Sequence, residues 1–192
     1  MPAEKIIGVL AMQGAYHKHS LMAESLGAQS IEVRTSEDLA KINGLIIPGG
    51  ESTVMSKLLT RNRLIEPLRR RALEGMPVFG TCAGMILLAK EVDNFNLPIP
   101  GLMDISVHRN AYGRQLESFE AAFTVKGIGE EPVTGIFIRA PKITGYGAGV
   151  EVLAEYEDVP VLVRENNFLA SSFHPELTGD PRIHALFLSM IS

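Results

Sequence analysis

The chain has 192 residues, of which 46% are hydrophobic and 21% charged, and its formal net charge is −4 from 18 basic and 22 acidic residues. This length predicts one domain over residues 1–192, and the balance of residue types excludes a disordered chain. The acidic surplus argues against a nucleic-acid partner, and no apolar run approaches the ~20 residues that cross a bilayer. A single cysteine and a start that does not resemble a signal peptide predict a cytoplasmic protein.

The first half of the chain alternates short apolar runs with helical patterns. The apolar runs predict strands at Lys5–Leu10, Ser30–Arg34, Gly44–Ile47 and Pro77–Phe79. Apolar residues at helical spacing predict helices at Tyr16–Leu26, from Leu64 until Gly75, and at Met85–Val92. This alternation is typical of a parallel sheet that is covered by helices on both faces.

The second half is richer in strands than in helices. Apolar and polar residues alternate from Phe119 to Val125, and further short runs follow at Ile136–Arg139, Gly149–Ala154 and Val161–Arg164. These runs predict antiparallel strands that either extend the first sheet or form a second one. A strand over Phe168–Phe173 then precedes a last helix, for which Asp180 is the predicted N-cap and Pro181 the first helical residue.

Four unusual segments follow predicted strands. They are Met12–Gly14, Pro48–Ser52, Gly80–Gly84 and His174–Glu176. Ligands of open parallel sheets bind outside the carboxyl ends of the strands. We therefore expect these four segments to meet at one edge of the sheet.

Cys82 lies between two glycines at a predicted strand-to-helix junction, in the sequence Gly-Thr-Cys-Ala-Gly. This is the elbow pattern in which a nucleophile sits on a sharp, crowded turn, with cysteine in place of serine. The positive end of the following helix favours the reactive thiolate. The alternative is a small buried cysteine with no chemical role.

His174 and Glu176 could supply the base and the group that orients it. Residues i and i+2 of an extended segment share one side, and Pro175 favours extension of the residue before it. A solvated surface turn is the alternative for these residues.

The glycines of Pro48–Thr53 allow backbone N–H groups to face a site and hold an oxyanion. The alternatives there are a phosphate loop and a tight turn with a helix N-cap at Ser52 or Thr53.

The remaining histidines give no clear site. His17 and His19 could form a metal pair, but a solvated face of the first helix is the favoured interpretation because further ligands at suitable spacing are missing. His108 and His184 are predicted to be ordinary surface or packing residues. No cofactor motif is present, so we predict neither a cofactor nor a metal.

Taken together, six blocks of sequence resemble the class I glutamine amidotransferases, and more narrowly the glutaminase subunits of pyridoxal 5′-phosphate synthase. The blocks are Gly8–Gly14, Pro48–Thr53, Phe79–Lys90, Arg109–Glu120, Phe137–Pro141 and Ser172–Thr178. The resemblance implies a flavodoxin-like α/β domain, with a mostly parallel central sheet, flanking helices and additional antiparallel strands. It covers nearly the whole chain.

The resemblance also implies roles for individual residues. Cys82 would be the nucleophile, His174 the base and acid, and Glu176 the carboxylate that orients it. Glutamine binding would involve Gly50, Glu51, Ser52, Arg109, Ile138 and Arg139. Gly50 and Ala83 would supply oxyanion donors, and Gln13 would support that loop where the two subunits meet.

The implied activity is hydrolysis of L-glutamine to L-glutamate and ammonia, which passes through a channel to a separate synthase subunit. The complex would be a hetero-oligomer with many copies of each subunit on a synthase core. Three alternatives stay open: the glutaminase of another amidotransferase, a γ-glutamyl hydrolase, and a non-catalytic scaffold protein with a degenerate site.

Overall fold

A computed structural model describes residues 5–109 and 118–192. Its strands are β1 Ile6–Leu10, β2 Gln29–Val33, β3 Gly44–Ile47, β4 Val78–Thr81, β5 Ala89–Val92, β6 Met103–His108, β7 Ser118–Phe123, β8 Val133–Ile138, β9 Lys142–Tyr146, β10 Glu151–Tyr156, β11 Val159–Glu165 and β12 Phe168–Ser171. Its α-helices are α1 Tyr16–Ser25, α2 Ser36–Leu39, α3 Ser52–Arg61, α4 Ile65–Leu73, α5 Ala83–Leu88 and α6 Arg182–Ser189. A 3₁₀ helix spans Pro175–Leu177.

The largest sheet has the strand order β10-β11-β12-β4-β3-β1-β2. The five strands from β12 to β2 are parallel, and β11 and β10 add to the β12 edge in antiparallel pairing. The predicted parallel sheet of the first half is therefore confirmed. Both of the options for the second half occur, because β10 and β11 extend the large sheet while β7 pairs with β8 in a separate hairpin.

Residues of the central strands alternate between two hydrophobic clusters, one on each face of the sheet. In β3, Leu45 and Ile47 join a cluster with Met55 and Leu59 of α3. Between them, Ile46 joins the opposite cluster with Phe187 of α6. Because successive strand residues point to opposite faces, a continuous apolar run is what a strand covered on both sides requires.

The predicted helix Met85–Val92 is wrong in its second half. Helix α5 ends at Leu88, and the residues from Ala89 to Val92 form β5, which pairs with β6 in a small sheet with β9. The apolar run through this region fits either element by periodicity alone, and pairing with β6 decides the outcome.

The last helix begins one residue later than expected, at Arg182, with Pro181 preceding it. The predicted capping contact nevertheless exists in another form, since the Asp180 carboxylate accepts a hydrogen bond of 3.0 Å from the Arg182 backbone N–H. No helix within 5–109 or 118–192 is both long and apolar enough to cross a membrane.

The parallel strands β1, β3, β4 and β12 point the same way, so their carboxyl ends lie at one edge of the sheet. Each of the four segments singled out in the sequence leaves the sheet at this edge, after one of these strands. The predicted convergence is therefore present, and it places the candidate site.

Candidate active site

Cys82 occupies a strained turn between β4 and α5. Its backbone has φ 52° and ψ −106°, a conformation that non-glycine residues rarely adopt. The turn fits only because its neighbours are glycines: a Cβ on Gly84 would lie 2.0 Å from the Ile47 carbonyl oxygen, and one on Gly80 would lie 2.6 Å from the Gly84 backbone. The sequence pattern therefore forms the sharp elbow that was expected of it.

Cys82 is buried, with 7% of the residue exposed, and two neighbouring segments fix its position. Its backbone N–H donates to the Ser171 carbonyl oxygen at 2.8 Å, which joins the elbow to β12. The thiol donates to the Ile138 carbonyl oxygen at 3.8 Å, across from the end of β8. The sulfur thus lies at the meeting point of the large sheet and the β7–β8 hairpin.

His174 and Glu176 form a buried pair next to this cysteine. The His174 Nδ1 atom lies 2.8 Å from the Glu176 Oε1 atom, and the His174 backbone N–H donates to the Ile136 carbonyl oxygen at 2.8 Å. Burial acts to lower the pKa of His174, but hydrogen bonds with Cys82 and Glu176 outweigh it and raise that pKa to about 10. The imidazole is therefore poised to hold a proton beside the sulfur.

Glu176 stays ionised although it is buried. Burial acts to raise its pKa, but the hydrogen bond with His174 and the nearby His19 lower the pKa below its usual value. A carboxylate in this state can orient the imidazole and balance the charge of an imidazolium. The structure thus brings the three predicted triad residues together from segments 92 residues apart in sequence.

Gly49 packs where the base and the cysteine meet. A Cβ atom on Gly49 would lie 2.4 Å from the His174 Cε1 atom and 3.4 Å from the Cys82 Cβ atom. The main chain after β3 therefore approaches both side chains as closely as a backbone can.

The following loop is held by Glu51 and Gln13. The Glu51 carboxylate accepts hydrogen bonds of 2.9 Å from the N–H groups of Thr53 and Val54, so Glu51 is the N-cap of α3. The alternative interpretation with an N-cap at Ser52 or Thr53 is therefore wrong, because the Glu51 carboxylate reaches both free N–H groups. The Gln13 side-chain oxygen accepts from the Glu51 N–H at 2.9 Å, which ties the β1 loop to this turn.

Arg109 lies beside the same helix start. Its Nη1 atom is 3.5 Å from the Ser52 hydroxyl and 3.4 Å from the Thr53 hydroxyl, and its guanidinium lies over the Phe95 ring at 4.8 Å. These contacts place a cation next to the glycine loop. Residues 110–117, which belong to the sequence block that begins at Arg109, lie outside the described residues.

Ile138 and Arg139 close the site from the β8 side. The Ile138 carbonyl faces the Cys82 thiol, and Arg139 has a left-handed φ of 44° with an exposed side chain. Ala83 is buried, directly follows Cys82 and begins α5, so its backbone lies within the elbow. All predicted glutamine-binding and oxyanion residues therefore lie near Cys82 or along the adjacent glycine loop, while their roles stay predictions.

The burial of His19 was missed in the sequence analysis, whereas His184 is a buried packing residue, one of the two options predicted for it. His19 is fully buried, with its Nδ1 atom 2.9 Å from the His184 Nε2 atom and its Nε2 atom 3.4 Å from the Glu176 Oε2 atom. The expected solvated position is wrong for His19, although His17 is exposed. His19 shares the buried face of α1 with Ala23, four residues on, but the weak amphipathic pattern of this helix gave no signal of that face.

The prediction for His108 and the expectation about a metal can each be compared directly with the structure. His108 is exposed, and its Nδ1 atom lies 2.7 Å from Asp93, as suits a surface residue. Within the described ranges, no group of three or more His, Cys, Asp or Glu side chains is arranged to hold a metal ion.

The buried histidine pair predicts instability in acid. Burial lowers the pKa of His19 from 6.5 to about 4 and that of His184 to about 3. Below pH ~6.5 these histidines are protonated in the unfolded chain but stay neutral in the folded chain. The free energy of unfolding therefore decreases as the pH falls below ~6.5. The raised pKa of His174 offsets this loss in part. The stabilisation that a protonated His174 provides increases as the pH falls and is complete only below pH ~6.5.

We expect the free energy of unfolding to be about 3 kcal/mol lower at pH 5 than at pH 7, as measured by urea unfolding. The variant His184→Leu removes one of the two groups and should reduce this difference to about 1 kcal/mol. Equal stability of the wild type at the two pH values would contradict the buried neutral pair.

A Cys–His–Glu group at the carboxyl edge of a mostly parallel sheet is the arrangement that the resemblance to class I glutamine amidotransferases implies. The sequence matches the SNO glutamine amidotransferase family over residues 9–192, and the chain belongs to this family. A solved structure described as a glutamine amidotransferase superposes with a TM-score of 0.92 at 48% identity, over 96% of this chain and 97% of that one.

Relatives in other organisms carry a more specific name. The chain is 53% identical to the pyridoxal 5′-phosphate synthase subunit PdxT of Carboxydothermus hydrogenoformans, over 96% of this chain and 97% of the relative. It is 55% identical to the PdxT of Thermosipho africanus, over 96% and 98%. The structure of PurLQS from Thermotoga maritima shares the fold alone, with a TM-score of 0.69 at 17% identity, over 97% of this chain and 98% of that one.

Proposed function

We propose that this chain is the glutaminase subunit of a pyridoxal 5′-phosphate synthase. It hydrolyses L-glutamine to L-glutamate and ammonia, and the ammonia passes to a separate synthase subunit. The observation that carries this proposal is the contact of Cys82 and Glu176 with His174 in a chain about half identical to PdxT over nearly its full length.

The first half of the reaction forms a thioester. His174 takes the proton of the Cys82 thiol, and the thiolate attacks the side-chain amide carbon of glutamine. Backbone N–H groups of Gly50 and Ala83 hold the negative oxygen of the tetrahedral intermediate. His174 then gives its proton to the departing nitrogen, so the C–N bond breaks and ammonia leaves. Glu176 keeps the imidazole oriented and balances its charge while it is protonated.

The second half releases glutamate. Water gives a proton to His174 and attacks the thioester carbon, and the Cys82 sulfur leaves as the thiolate, which the base reprotonates. Because free ammonia diffuses away, coupling to a synthase requires that the two subunits bind each other. We place Gln13 at that interface, since it joins the β1 loop to the glycine loop through Glu51.

Substrate glutamine has an α-carboxylate and an α-ammonium that must both find partners. We assign the carboxylate to the region of Arg109 and Ser52, because a guanidinium binds carboxylates well. The ammonium then faces acceptors, and the Ile138 carbonyl next to Cys82 is one. Glu51, Gly50 and Arg139 complete the surrounding wall.

The location in the cell follows from the chemistry of the nucleophile. A thioester mechanism requires the one cysteine of the chain as a free thiol. We place the protein in the cytoplasm, where reducing conditions would keep that thiol available.

The test is glutamate release from glutamine, with and without the synthase subunit. We expect slow release by the chain alone, acceleration by the synthase subunit, and glutamine-dependent formation of pyridoxal 5′-phosphate by the pair. No glutamate release by either preparation would refute the proposal. Activation by a different synthase would indicate another amidotransferase, and release of glutamate from poly-γ-glutamates without a partner would indicate a γ-glutamyl hydrolase.

A further inference from the structure

Only one of the two carboxylate oxygens of Glu176 forms a hydrogen bond with His174. Oε1 lies 2.8 Å from His174, whereas Oε2 is buried and has no hydrogen-bond partner of normal geometry in the described part of the chain. The ring nitrogen facing it is His19 Nε2, at 3.4 Å, and neither side chain is exposed to solvent. A buried carboxylate oxygen facing a single imidazole is a costly arrangement unless that imidazole donates to it.

The tautomer of His19 follows from its neighbours. If the proton were on Nδ1, the lone pair of Nε2 would face the negative Oε2 atom of Glu176. With the proton on Nε2, that N–H lies between Oε2 and the Thr81 hydroxyl at 3.3 Å, and Nδ1 accepts a hydrogen bond from His184 at 2.9 Å. Only the second arrangement leaves each contact attractive.

We propose that His19 is a positioning residue for the glutaminase reaction, which donates from Nε2 to the second oxygen of Glu176 and so keeps the first oxygen on His174. The inference rests on the proposed function for its kinetic consequence, and on the geometry alone for the hydrogen bond. His19 touches neither the sulfur nor the substrate in this scheme. It acts through Glu176.

A neutral donor suits this task better than a cation. Lys or Arg at this place would neutralise Glu176 and weaken its hold on an imidazolium at position 174. Burial keeps His19 uncharged, since it lowers its pKa to about 4. The carboxylate is therefore fixed in orientation while its charge remains available to His174.

The single cysteine of the chain gives a direct readout. The rate of Cys82 alkylation by iodoacetamide as a function of pH reports how well His174 and Glu176 stabilise the thiolate. The titratable groups that face His19 are Glu176 and His174 on one side and His184 of α6 on the other, and Cys82 adds to those that face His174. A change at His19 reaches the sulfur through Glu176 and His174, and its one other contact towards the elbow is the Thr81 hydroxyl, which His19→Gln can also keep.

Two amide variants separate positioning from packing. In His19→Gln the amide nitrogen can take the place of Nε2 and donate to Glu176, whereas in His19→Asn it reaches only the place of Nδ1, towards His184. His19→Leu removes both contacts. His184→Leu is the matched control, because it removes a hydrogen bond in the same buried cluster without touching Glu176.

We expect His19→Asn and His19→Leu to lower kcat by about 10-fold or more, the effect of one lost hydrogen bond to a charged group, with KM for glutamine little changed. Their alkylation profiles should move to higher pH. His19→Gln should restore both properties, and His184→Leu should keep both while its melting temperature falls. Wild-type kcat and an unshifted alkylation profile in His19→Asn and His19→Leu would overturn the proposal.

A measurement on the unmodified protein covers the case in which the variants do not fold. Nitrogen-15 NMR of the histidine side chains should show His19 as the neutral Nε2–H tautomer at pH 7. An Nδ1–H tautomer or an imidazolium would overturn the proposal. This result and the alkylation profile do not depend on glutamine, so they stay decisive even if the proposed function fails.

Discussion

Replacing Cys82 with alanine is expected to lower glutamate release by at least about 10⁴-fold, with the synthase subunit present. No other thiol exists in the chain, and the described site offers no other nucleophile at the elbow. Ammonia supplied directly to the complex should still support formation of pyridoxal 5′-phosphate, because the synthase subunit is untouched.

The Cys82→Ala protein should fold normally. The side chain is small, and the contacts its thiol gives up are the long one to the Ile138 carbonyl oxygen, at 3.8 Å, and the hydrogen bond with His174. The circular dichroism spectrum and the binding of the synthase subunit serve as controls. Release of glutamate at the wild-type rate by this variant would rule out the thioester mechanism.

Replacing Glu176 with glutamine should lower kcat by about 10³- to 10⁴-fold, with the shape of the site retained. If the amide oxygen faces His174 Nδ1, the amide NH₂ faces the Nε2–H of His19, and one of the two groups must give way. If the amide turns round, its NH₂ faces His174 Nδ1 and favours the tautomer that cannot accept a proton from Cys82. Either way the negative charge that supports the imidazolium is gone.

Glu151→Gln is the matched control for this change. Glu151 is half exposed, pairs with Arg164 at the edge of the large sheet and should leave kcat unaltered. We would measure kcat and KM for both variants across a range of pH. A Glu176→Gln enzyme within tenfold of the wild type at its best pH would show that the carboxylate charge is dispensable.

The sequence was sufficient to predict the parts of the molecule that repeat a simple pattern. Apolar runs such as Gly44–Ile47 are strands covered on both faces, and the segments that follow parallel strands must lie at one edge of the sheet. Glycines around Cys82 predicted the elbow for a steric reason that the structure bears out in the clash distances at Gly80 and Gly84. Cys82 follows β4 and His174 and Glu176 follow β12, so the pairing of these two parallel strands brings the three residues to the same edge.

What could not be predicted depends on contacts between distant segments. His19 lies in a short helix of weak amphipathic pattern, so only the packing of α1 against the 3₁₀ helix and α6 shows that it is buried. The end of α5 at Leu88 depends on β6, which pairs with the next residues. Glu51 was expected to bind substrate, and its hydrogen bonds to the start of α3 depend on a side-chain rotamer.

The absence of a side chain at Gly49 has a consequence for how the nucleophile and its base are spaced. The backbone of Gly49 fills the space beside Cys82 and His174. Because a backbone relaxes less readily than a side chain, rotamer changes elsewhere in the core do not alter the distance between these two residues. The loop that would stabilise the oxyanion therefore also sets the distance between the Cys82 sulfur and the His174 imidazole, across which the proton moves.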